Sequence, residues 1–83
     1  MPLIAVLDGI LIRMYFMHGE HNPPHVHALH SEFAAAVDIR QATIMDGWLP
    51  PKEAVRVSQW VAGHQDELLA MWYSQEFKRL PSR

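Results

Sequence analysis

The chain has 83 residues and a mass of 9.6 kDa, with 49% hydrophobic and 19% charged residues, which favours one folded domain with a modest core over a disordered chain. The absence of cysteine excludes disulfide staples, thiolate metal sites and a cysteine nucleophile. Seven Lys plus Arg against nine Asp plus Glu give a net charge of -2, without the basic excess of a non-specific nucleic-acid binder, so RNA is a partner the charge does not favour.

The opening run MPLIAVLDGILIRMYF is apolar but lacks a basic leader and a small-residue cleavage site, and Asp8-Gly9 interrupts it short of a membrane-spanning length. The expectation is a soluble cytoplasmic protein with no membrane segment. Leu3 to Leu7 and Ile10 to Phe16 are apolar runs around Asp8-Gly9, the pair a type I′ turn prefers because both central residues need positive φ, so a β-hairpin is predicted. In its second arm the two-residue period sends Ile10, Ile12, Met14 and Phe16 to one face and Leu11, Arg13 and Tyr15 to the other.

Gly19, Asn22, Pro23 and Pro24 make Met17 to Pro24 a loop. A strand then resumes over His25 to Leu29, with His25 and His27 on one face and Val26 and Ala28 on the other. Phe33 to Arg40 reads as a further strand, against the helix preference of its alanines. Thr43 to Met45, Asp46-Gly47 and Trp48-Leu49 read as a short strand and a turn. Pro50-Pro51 announces a helix, with Glu53 well placed near its positive N-terminal end. Val57, Trp60, Val61, His64, Leu68 and Trp72 form one amphipathic stripe, opposite Arg56, Gln59, Asp66 and Glu67. Gly63 costs about 1 kcal/mol against alanine there and marks close packing or a slight bend.

The expected fold is α+β: a small, mainly antiparallel sheet, made of the N-terminal hairpin plus two or three further strands, covered on one face by one C-terminal amphipathic helix. A single domain spans 1–83, with sheet and histidine-rich loop over 1–49, helix over 50–74 and a loose tail over 75–83.

The stretch HGEHNPPHVHALH holds five of the six histidines. His25 and His27, two apart on a strand, project from one face and can share a metal ion. With His21, or with His18, His30 or a carboxylate such as Glu20, Glu32 or Asp38, they would form a ligand set suited to a divalent transition metal, zinc, iron(II) or manganese. The structural reading beside it has these imidazoles capping turn carbonyls or packing on Tyr15. A metal-free reading takes one of His25 and His27 as general base and the other as general acid, with Arg13 stabilising a phosphoryl oxygen and Tyr15 orienting it, as in a small ribonuclease. Against that, Arg13 is an exposed edge residue or the partner of Asp38. His64 on the apolar stripe reads as a hydrogen-bonded packing residue. Trp48, Trp60 and Trp72 read as core or edge packing, with one of them a candidate for a protein interface. The sequence has no Gly-rich phosphate loop, no GxSxG elbow, no HExxH zinc helix and no helix-turn-helix pattern.

GILIRMYF, EHNPPHVHA, LP ahead of a helix, and ELLAMW together resemble a family of short bacterial proteins, the domain of unknown function numbered four-one-six-zero. Its members carry an I-R-M-Y-F strand followed by H-N-P-P-H-F-H-A. The resemblance runs from Ile4 to Trp72, with Val26 in place of the usual phenylalanine and Gly19 and Glu20 lengthening the loop before His21. It marks Arg13, Tyr15, His21, Asn22, Pro23, Pro24, His25 and His27. The family has no established activity. Its members are commonly encoded beside another small protein, an arrangement similar to toxin and antitoxin pairs, which implies a partner-binding component whose partner is the product of the adjacent gene. Self-association through exposed sheet edges stays open, and metal binding through the His25 and His27 cluster is the alternative function.

Overall fold

The computed structural model describes residues 2–15 and 23–83. Alternating apolar and polar residues fold the first half of the chain into five strands, β1 (Leu3–Leu7), β2 (Ile10–Arg13), β3 (His25–His30), β4 (Phe33–Asp38) and β5 (Thr43–Trp48). Helices α1 (Pro51–Gly63) and α2 (Gln65–Ser74) follow. The strands form one antiparallel sheet in the order β1-β2-β3-β4-β5, and the class is α+β.

Asp8 and Gly9 take φ of 50° and 85°, the positive values that a type I′ turn needs, and β1 folds back onto β2 around them with an irregularity between Leu3 and Ala5. On one face of the sheet Ile4, Leu7, Ile10, Ile12, Met14, Val26, Ala28, Ala35, Val37 and Ile39 are buried in a single cluster with Val57, Trp60, Val61, Leu68, Met71 and Trp72 of the helices. That face is the core.

Three expectations are corrected. The helix expected to run unbroken over 50–74 is two helices: His64, at φ -130° and ψ 23°, leaves the helical region, and its N–H bonds to the Val61 carbonyl at 3.1 Å. Gly63 has low helix propensity, and tertiary contacts decide the break. The His64 ring lies 2.9 Å from a Glu67 carboxylate oxygen and 2.8 Å from the Arg83 carbonyl, while Gln65 donates to the Ile39 and Arg40 carbonyls at 3.1 and 3.0 Å.

The tail, expected to be loose, is tied to the body. Leu80 is buried and its N–H bonds to the Ile4 carbonyl at 2.8 Å, the Trp60 indole N–H donates to the Pro81 carbonyl at 2.9 Å, and Arg56 donates to the Ser82 carbonyl at 2.6 Å. An apolar anchor at Leu80, with Phe77 packed against the same core, is what docks it.

Asp46-Gly47, read as a turn, lies inside β5. Gly47 takes φ +81°, and a Cβ built there would sit 2.3 Å from the Ala34 carbonyl oxygen and 2.9 Å from the Ala35 Cα. The left-handed glycine thus serves the close approach of two backbones where Gly47 pairs with Ala35, and the register shift between Ala36 and Val37, which leaves Met45 as the extra residue, follows beside it.

Candidate functional site

Residues that alternate with the core set lie on the second face of the sheet, and directly opposed residues of antiparallel strands share a face. The register therefore fixes three rows across it. The first runs Val6, Leu11, Leu29, Ala34 and Trp48, one residue from each strand and every one apolar. The second runs Leu3, Arg13, His27, Ala36 and Asp46. The third runs His25, Asp38 and Thr43. None of these residues is buried, and Trp48, 57% exposed, is held from one side by the Phe33 ring at 5.1 Å.

Of the residues singled out in the sequence, the structure brings Arg13, Tyr15, His25 and His27 together at one end of this face. Arg13 pairs with His27 across β2 and β3. The Tyr15 ring meets His27 edge-on at 4.1 Å, and the His25 ring lies 5.0 Å from both His27 and Trp72. His25 Nδ1–H donates to the Pro23 carbonyl at 2.8 Å, which orients the ring and leaves Nε2 as its second polar atom. The Pro23-Pro24 pair thus sets the imidazole as well as the chain direction.

Burial lowers the pKa of His27 below its ordinary 6.5, and the neighbouring His25 lowers it further. An oriented imidazole beside one held neutral is the kind of pair that general acid and base chemistry uses. The shift also has a stability consequence. The unfolded chain binds a proton at His27 more readily than the fold does, so its contribution is complete above pH 6.5 and is lost as pH falls from there through the lowered folded-state value. Urea unfolding of the protein and of His27→Gln across about pH 5 to 8 checks this, the variant losing stability less steeply on the acid side. Parallel curves would show that His27 is not the group responsible.

His21, offered as a third metal ligand, lies outside the described residues, as do Phe16, His18, Gly19, Glu20 and Asn22. Among the described residues there is no group of three or more His, Asp or Glu placed to hold a metal ion, and His25 with His27 makes two. His64 is a packing residue that ties α2 to the tail, with its ring 4.6 Å from that of Trp60.

The apolar row and Asp46 escape sequence reasoning. Val6, Leu11 and Leu29 can each be assigned to the non-core face by period, but only the register aligns them with Ala34 and Trp48. The profile of a family described as a domain of unknown function (DUF4160) matches residues 9–73. No curated protein and no solved structure matches the chain.

Proposed function

Since the chain belongs to the DUF4160 family, a domain of unknown function, we propose from the site itself that it acts as the partner-binding component of a two-protein pair of toxin and antitoxin type, docking its partner on the open sheet face. The observation that carries this reading is the apolar row Val6, Leu11, Leu29, Ala34 and Trp48, which crosses all five strands outside the core. An apolar stripe with a polar border is how protein interfaces are built, and an exposed tryptophan is a frequent anchor in them. The partner that the family resemblance points to is the small protein encoded by the adjacent gene. Docked on this row, it covers Arg13, Tyr15, His25 and His27, and in this reading an acid and base activity of the two histidines on RNA is what the partner masks.

The experiment is co-expression of the two proteins, with the complex isolated by size and the free chain assayed on RNA in the presence of a chelator. Leu29→Arg puts a charge at the middle of the row without touching the core, and weakens the complex at least about a hundredfold, as loss of a central anchor does. RNA cleavage by the free chain is lost in His25→Ala and in the complex. A complex that tolerates Leu29→Arg removes this face as the docking site, and a free chain inactive on RNA leaves docking as the whole function.

A further inference from the structure

The open face carries its two signs of charge on opposite halves. Arg13 lies on β2 with the His25 and His27 imidazoles beside it on β3, and the carboxylates Asp38 and Asp46 lie on β4 and β5. Take a two-fold axis along the strands, midway between β3 and β4, and lay a second copy of the chain face to face on the first. β2 then stacks on the second copy's β5, and β3 on its β4. Row for row, Arg13 meets Asp46 of the other copy, His25 meets Asp38, Leu11 meets Trp48, Leu29 meets Ala34 and His27 meets Ala36. Arg13 and Asp46 each find the opposite sign, and in the last two pairs the larger side chain faces an alanine. Sheets that pack face to face run nearly aligned at a spacing of about 10 Å, close enough for these pairs to touch.

We propose that the free protein self-associates through this face as a symmetric dimer, so that a second copy and the protein partner compete for the same row. The inference rests on the reading of this face as a docking surface and names what occupies it when the partner is absent. A two-fold interface must be complementary to itself, and Arg13 on β2 with Asp46 on β5, which the axis brings together twice, meets that condition. Four strands about 4.8 Å apart and three rows about 7 Å apart give roughly 400 Å² of flat area per copy and about 800 Å² in all. That is below the roughly 1,200–2,000 Å² of stable specific interfaces and in the range of weak, transient ones, so the dimer forms and dissociates with concentration and yields to a better-fitting partner.

Sedimentation equilibrium of the native chain over a range of concentrations, alone and then with the adjacent gene's product, tests it. The native chain passes from monomer to dimer. Arg13→Glu sets a carboxylate against Asp46 twice per dimer, Asp46→Lys sets an ammonium against Arg13 twice, and each weakens self-association at least about tenfold. Mixed in equal amounts, the two variants restore both contacts and associate with each other about as tightly as the native chain with itself, a recovery that misfolded variants cannot give. A native chain that stays monomeric at every concentration yet binds the neighbouring product overturns the inference and spares the docking reading. A dimer indifferent to both reversals, or a mixture that does not recover, also overturns it. A restored mixed dimer with no affinity for the neighbouring product upholds self-association through this face but overturns the competition, and removes the toxin and antitoxin reading.

Discussion

Replacing Trp60 with alanine lowers the stability of the fold by about 3–5 kcal/mol, the cost of emptying a large aromatic site that the surroundings cannot refill. Trp60 is 3% exposed in α1, within the cluster that joins the helices to the sheet. Its ring stacks at a tilt on His64, where the helix breaks, and its indole N–H holds the Pro81 carbonyl of the tail at 2.9 Å. One substitution therefore opens a cavity, loosens the tail and removes the ring against which the break is packed. For a domain of this size the expected loss is a large part of the total stability. Urea unfolding followed by far-UV circular dichroism measures it. Trp60→Phe, which keeps most of the packing and gives up the hydrogen bond, is expected to lose markedly less. A loss below about 1 kcal/mol in the alanine variant, the range of ordinary surface changes, would show that Trp60 does not hold the core together.

Gly47→Ala is expected to cost about 2–5 kcal/mol, from the strain of a left-handed conformation for a residue with a Cβ together with overpacking. The obstructing atoms, the Ala34 carbonyl oxygen at 2.3 Å and the Ala35 Cα at 2.9 Å, belong to backbone and cannot rotate away. The cheapest relief is for β5 to lift off β4, so hydrogen exchange quickens at β5 amides bonded to β4 while the helices keep their protection. Gly9→Ala provides the contrast: φ there is +85° with open space around the added carbon, so only the conformational strain of about 1–2 kcal/mol is expected. Equal losses in the two variants would mean that the strand contact at Gly47 contributes nothing.

The difference between Asp8-Gly9 and Asp46-Gly47 shows what the sequence can and cannot convey. Both are Asp-Gly pairs between apolar stretches, and both place glycine at positive φ. The first closes a turn because Leu7 and Ile10 can pair directly across it, a local matter. The second stays inside a strand because Gly47 lies against Ala34 and Ala35, thirteen and twelve residues earlier in the chain, a proximity that no local pattern expresses. The alternation of Ile10, Ile12 and Met14 with Leu11 and Arg13, and of Val26 and Ala28 with His25 and His27, is likewise local and readable. The helix break is hidden because the apolar stripe continues across it: Val61, His64 and Leu68 keep helical spacing although His64 is not helical. What fixes His64 is a glutamate one turn on and the carbonyl of Arg83, and the second is a tertiary contact. The candidate site divides in the same way. That Arg13, Tyr15, His25 and His27 belong to non-core positions can be argued from period, while their proximity depends on the pairing of β2 with β3, and the apolar row on all four strand pairings.

The meander order of the sheet bears on how quickly the protein reaches this state. Each strand pairs with its neighbour in sequence, so the sheet grows by closing short loops, the kind of contact whose entropic cost is small and whose formation is fast. The hydrogen bond from Leu80 to Ile4 is different, since it closes a loop over nearly the whole chain. Its closure belongs late on the folding path, after the hairpins have zipped and the helices have docked. Until then the β1 end of the sheet remains uncapped, and the nascent protein passes through a stage with a formed sheet and an unlatched tail.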